Sequence, residues 1–203
     1  MDNDIQEAGT RLRNIVQEVA SSRLKTICCR DDFTVRNIPS SEIPKSEKWL
    51  VLIMIYAEAL KIQFKVHFSE KNMKPFMERN NDLKDHYDNP DICLDYIKEF
   101  CNMVAGGVKQ SIEGIEKRGG LRVPEIYRIS LPEEFSKAGS NSAFIKVSKE
   151  TPSFEDCFEY KIDNSHIRIS SIIYTNSLER LIGVTKTEHS DLIVTDGGEI
   201  EFL

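Results

Sequence analysis

The chain opens on helical spacing. Ile5, Ala8, Leu12, Ile15, Val16 and Val19 recur every three or four residues, while Glu7, Arg11, Asn14 and Glu18 fall on the other side. This predicts an amphipathic first helix, with Asp2, Asn3 or Asp4 placed to cap its start. From Ser21 to Lys48 the rhythm fails and Pro39 and Pro44 interrupt it, so a short strand or two around Leu24 to Cys29 and then irregular chain are expected. Trp49 to Tyr56 is apolar on both faces, as an interior strand would be. Leu60 to Phe68 alternates strictly and places Ile62, Phe64, Val66 and Phe68 on one face. The two form a hairpin, although the connector lacks the glycine such turns favour. Asn72 to Arg79 reads as a short helix.

The best-marked element follows. Asn89 supplies an N-cap, Pro90 suits the first helical position, and Asp91 sits at the positive end of the dipole. Ile97, Phe100, Cys101, Val104, Val108, Ile112 and Ile115 make a stripe running to about Lys117, and Gly119-Gly120 ends it. Beyond it, Glu125 to Ser130 and Ala143 to Val147 are candidate strands. Phe158 to Asp163 and Ser165 to Tyr174 form a hairpin turning near Asp163-Asn164. A short helix (Ser177 to Ile182) and a terminal hairpin around Asp196-Gly197-Gly198 are expected in the tail. The order of elements predicts an α+β fold, long helices packed on one face of a mostly antiparallel sheet. Residues 1–175 would form the domain and 176–203 a C-terminal extension.

Composition narrows the function classes. At 203 residues, 40% hydrophobic and 30% charged, the chain suits one sizeable core. A net charge of -6 repels phosphate backbones and argues against nucleic acid as the main partner. The acidic start has no signal-peptide run, and Trp49 to Tyr56 is too short to span a bilayer as a helix, so a cytoplasmic protein without a membrane partner is expected. Cys28, Cys29, Cys93, Cys101 and Cys157 are odd in number and include no CxxC pair; they read as small apolar residues in a reducing compartment. His67, His86, His166 and His189 have no metal-ligand spacing. There is no P-loop, nucleophile elbow or dinucleotide fingerprint.

One stretch departs from good helix composition. Glu99 and Asn102, three residues apart, lie on the polar side of the long helix with Asp95, Lys98, Gly106 and Lys109. Asn competes with the backbone for hydrogen bonds, and each helical glycine costs about 1 kcal/mol relative to alanine. Such local departures mark places where function or close packing overrides propensity. An ordinary solvated face would also carry Glu and Asn. Cys101, one position before Asn102, falls on the apolar stripe and reads as a buried thiol.

The run Glu99-Phe100-Cys101-Asn102-Met103-Val104-Ala105-Gly106 resembles the Glu-x-x-Asn signature of the CheC/CheX family of chemotaxis phosphatases. The preceding hairpin, the short helix after it and Arg128-Ile129-Ser130-Leu131-Pro132 stand where that family places them, over roughly Asp4 to Tyr174. The resemblance implies a phosphatase acting on the aspartyl phosphate of a CheY-like response regulator. Asn102 would align the attacking water and Glu99 would pair with the regulator's active-site lysine. It also implies Mg²⁺ in the regulator, no cofactor in this chain, and a homodimer joined through sheet edges. Two-site members repeat Glu-x-x-Asn on the first helix; here Arg11-Leu12-Arg13-Asn14 puts a cation in the Glu place, so a single, CheX-like site is expected and Asn14 reads as a surface residue. The alternatives are a module that docks a regulator or flagellar-switch component without hydrolysis, and a dimeric scaffold with an idle Glu99 face.

Overall fold

The computed structural model describes residues 2–43, 49–56, 60–119, 125–130 and 152–175, with side chains for 6–43, 60–112 and 152–175. Its elements are α1 (Asp2–Cys28), β1 (Thr34–Asn37), β2 (Trp49–Tyr56), β3 (Leu60–Phe68), α2 (Lys74–Met77), α3 (Pro90–Gly119), β4 (Glu125–Ser130), β5 (Phe154–Ile162) and β6 (Ser165–Thr175). The six strands form one sheet in the order β1-β5-β6-β3-β2-β4, every described pair antiparallel. Helices and an antiparallel sheet meet the α+β expectation. The stretches 131–151 and 176–203, with the strand, helix and hairpin expected there, lie outside the described residues.

The first helix corrects the sequence reading. No strand forms at Leu24 to Cys29; α1 continues to Cys28. Leu24 and Cys28 extend the stripe of Ala8, Leu12, Ile15, Val16, Val19 and Ala20 by one more turn each, and all are buried. Burial along a continuous face outweighs the weak helix propensity of Thr26 and the two cysteines. The helix stops at Cys29, whose φ of 52° is the left-handed cap conformation. Arg30 and Asn80 then fasten this end: Arg30 Nη1 donates to the Pro75 carbonyl (3.0 Å) and Asn80 Nδ2 to the Ile27 carbonyl (3.3 Å).

α3 starts as its sequence dictates. The Asn89 Oδ1 accepts from the Asp91 N–H (3.0 Å) and the Ile92 N–H (3.4 Å), and the Asn89 carbonyl takes the first helical bond from Cys93 (3.0 Å). Asn89→Ala is therefore expected to cost about 1 kcal/mol, a fall of roughly 2–4 °C in Tm on thermal unfolding. Cys93, Ile97, Phe100, Cys101, Val104, Val108 and Ile112 are buried in one core with Ile62, Phe64, Val66 and Phe68 of β3 and Phe158, Ile167 and Ile169 of the β5–β6 hairpin. That hairpin turns at Asp163, with φ 53°.

The second face of the sheet carries polar groups that are also buried. Gln63, Lys65 and His67 of β3, Glu159 of β5, and Arg168 and Ser170 of β6 are all inaccessible or nearly so. Glu159 lies between two cations, accepting a hydrogen bond from Arg36 Nε at 2.9 Å and forming an ion pair with Arg168 Nε at 2.8 Å. Burial opposes ionisation of Glu159, but Arg36 and Arg168 outweigh it and hold the carboxyl below its usual range.

None of the five cysteines is in a disulfide; Cys28, Cys93, Cys101 and Cys157 are buried and Cys29 is exposed. Among the described residues no helix is long and apolar enough to cross a membrane.

Candidate functional site

α3 runs back along α1 on the same face of the sheet. The start of α3, at Tyr96, lies by Cys28 and Cys29 at the end of α1, while further on Gly107 meets Val19 and Arg23. The contact is tight because Gly107 lacks a side chain. A methyl group there would lie 2.6 Å from Val19 Cγ1, 3.4 Å from Arg23 Nε and 3.7 Å from Arg23 Nη2. Helical glycine thus serves the helix–helix crossing, not packing against the sheet. Gly106 is half-buried on the outer side.

Glu99 and Asn102 emerge on the outer face of α3. Glu99 is exposed and Asn102 partly so, whereas Phe100, Cys101, Val104 and Val108 between and beyond them are buried. Asn102 Nδ2 donates to Glu99 Oε2 at 3.5 Å. That is a long, weak bond, so the amide is held near the carboxylate without being locked to it. Lys98 pairs instead with Asp95 at 3.0 Å on the flank of the same face. The Cys101 thiol points inward, which separates it from any surface chemistry. Among the described residues no cluster of His, Cys, Asp and Glu is arranged to hold a metal ion.

The pair sits on the outward side of a helix. A polar hollow of about 410 Å³, lined by Gln17, Glu18, Ser21, Ser22 and Lys25, lies along α1, and neither Glu99 nor Asn102 lines it. Small substrates are held in concave, largely enclosed sites. An exposed carboxylate and a partly exposed carboxamide on the outside of a helix suit contact with another macromolecule.

The crossing also relates the two helices. Glu99 and Asn102 precede Gly107 by eight and five positions, as Arg11 and Asn14 precede Val19, the residue Gly107 touches. Counted from that contact, Arg11 and Asn14 hold on α1 the positions that Glu99 and Asn102 hold on α3. Asn14 is exposed and Arg11 half-buried. The second place on the helix pair therefore has the amide but the opposite charge. Sequence reasoning picked out these residues from the motif; it missed Arg23. That residue's signal is its spacing, four after Val19 and seven after Val16, both fully or nearly fully buried.

Neither a family model nor a curated protein matches the chain in sequence. Solved structures match in fold. A CheC-like superfamily protein from Shewanella sp. PV-4 is 14% identical over 81% of this chain and 97% of that one, with a TM-score of 0.53. A chain of the CheX–CheY–BeF3–Mg complex from Borrelia burgdorferi is 12% identical, covering 79% and 96%, with a TM-score of 0.50. The FliM middle domain from H. pylori is 11% identical, covering 90% and 98%, with a TM-score of 0.53. The chain has a CheC/CheX-like fold.

Proposed function

We propose that this chain is a phosphatase for the aspartyl phosphate of a CheY-like response regulator, with Asn102 and Glu99 as its working residues. The observation that carries the reading is the exposed Glu99–Asn102 pair on α3, within the octapeptide that resembles the family signature and on a face whose reverse side is core. In hydrolysis, water attacks phosphorus, the bond to the aspartyl oxygen breaks, and inorganic phosphate leaves. The regulator's Mg²⁺ neutralises the phosphoryl oxygens. Asn102 contributes an amide that orients water in line without bringing negative charge beside those oxygens. Glu99 contributes a carboxylate for the regulator's lysine, which fixes the dock. Among the solved structures of this fold, a CheX–CheY complex carrying BeF3 and Mg supports a CheY-like partner.

The direct test is phosphate release from phosphorylated CheY-like regulators mixed with the protein. Acceleration over the regulator's own decay supports the reading. Binding without acceleration supports the second reading, a docking module without hydrolysis, which the likeness to the FliM middle domain favours.

Arg11 limits the reading to one site per chain. A guanidinium in the Glu99-like place repels the lysine that Glu99 would bind. Asn14→Ala is expected to leave the dephosphorylation rate within about twofold of the unmodified protein, as surface changes away from a working site do. Rates from single-turnover assays check this, and a loss comparable to that of Asn102→Ala would show two sites.

A further inference from the structure

Arg23 occupies a place on α1 that its neighbours reserve for an apolar side chain. It follows Val16, Val19 and Ala20 at seven-, four- and three-residue spacing, and those three are buried at 0%, 8% and 0%. Its side chain lies over Gly107 of α3, with Nε and Nη2 3.4 and 3.7 Å from where a Cβ there would stand. Nε is buried and has no hydrogen-bond partner among the described residues. A guanidinium with an unmatched buried N–H is a costly choice for an interface that a leucine would fill. The antiparallel arrangement places Arg23 beyond the Val19–Gly107 contact on the side toward the start of α3, the side on which Glu99 and Asn102 lie.

We infer that Arg23 is a second docking residue of the Glu99–Asn102 surface, pairing with a carboxylate on the rim of the regulator's phosphorylation site. The inference rests on the phosphatase reading and extends it to a two-signed recognition: an acid on α3 for the partner's lysine, and a base in the α1–α3 groove for its acidic rim. Such a rim is what a Mg²⁺ site offers, since Mg²⁺ is held through carboxylates and phosphoryl oxygens. Arginine fits the task because its planar fork grips a carboxylate through two parallel bonds while its stem stays packed. Opposite charges at two places on the docking face also set the orientation of the partner, because a reversed dock would place like charges together.

The test compares the unmodified protein with Arg23→Met, which keeps the packed stem, and Arg23→Lys, which keeps the charge. Arg23→Gln replaces Met if the latter does not fold, as judged by thermal unfolding. The probe is a CheY-like regulator loaded with BeF3 and Mg²⁺, with affinities measured at about 50 and 300 mM salt. Arg23→Met is expected to weaken binding about tenfold at low salt and to flatten the salt dependence, with Arg23→Lys recovering part of the loss. In steady state KM rises and kcat stays within about twofold, the pattern of lost uniform binding. Unchanged affinity and salt dependence in Arg23→Met or Arg23→Gln would make Arg23 a packing residue only and overturn the inference while leaving the phosphatase reading intact. Failure of the unmodified protein to bind the loaded regulator would overturn both.

Discussion

Asn102→Ala is expected to slow hydrolysis of the phosphorylated regulator by about 10²-fold or more, roughly 2.7 kcal/mol of barrier, while regulator affinity changes little. The separation follows from geometry. Asn102 is partly exposed and shares only a 3.5 Å bond with Glu99, so truncation removes a projecting amide without opening a core cavity. Residues that do hold the helix in place, Phe100, Cys101 and Val104, lie on the other face and are untouched. Glu99→Ala should do the reverse: weaker binding, less sensitive to salt, because an ion pair across the interface is lost. Single-turnover rates and affinities for both variants separate chemistry from docking. If Asn102→Ala matches the unmodified rate, Asn102 does not align the water and the docking module becomes the better reading.

What could be read in the sequence, and what could not, divides along physical lines. α3 was legible from end to end because a cap, a stripe and a polar face agree, and the structure adds only the crossing at Gly107. The second half of α1 was not. Arg23 interrupts the apolar rhythm just where Leu24 and Cys28 would have continued it, and the stretch looked strand-like instead. The residue that hides the helix in the sequence is the one whose burial beside Gly107 is informative in the structure. β1 escaped notice for a different reason: four residues, mostly exposed, exist as a strand only because β5 pairs with them. The alternation of β3 correctly placed Ile62, Phe64, Val66 and Phe68 in the core, but alternation alone says nothing of whether the intervening residues meet water. Gln63, Lys65 and His67 are buried as well. The pairing of Glu99 with Asn102 on one surface followed from helical period; the relation of Arg11 and Asn14 to them came with the family resemblance, and the antiparallel contact sets both pairs at the same spacing from it.

Those buried bases make folding stability climb with pH, and Lys65→Met should remove most of the neutral-to-alkaline part of that climb. Burial holds the Lys65 amine down at about 7 against 10.5 in the free side chain, despite opposing contributions from Cys157 and Glu155. Burial, with Lys65 and Arg168 nearby, likewise pushes His67 to about 3 from 6.5. The His67 ring lies 3.0 Å from Ser170 Oγ as a neutral partner. Between the folded and unfolded values of each base the unfolded chain binds more protons, so stability rises with pH across about 3 to 6.5 for His67 and about 7 to 10.5 for Lys65. Below about 7 both states carry the Lys65 proton and the burial cost is felt in full, on the order of a few kcal/mol. The thiols act in the opposite sense. Burial raises Cys28 and Cys93 to about 11 and Cys157 to about 12 from 9.0, so above about 9 the unfolded chain loses protons that the folded one keeps, and stability falls. A maximum near pH 9 is the expected result. Urea unfolding at about pH 6, 7.5 and 9 reads it directly through the midpoint at constant slope. Lys65→Met, close in volume and without a charge to bury, should be the more stable protein at the two lower values and should lose the rise between 7.5 and 9. Parallel profiles for the two proteins would mean that Lys65 keeps its proton in the folded state, and that its partners on the polar face of the sheet, rather than burial, set its charge.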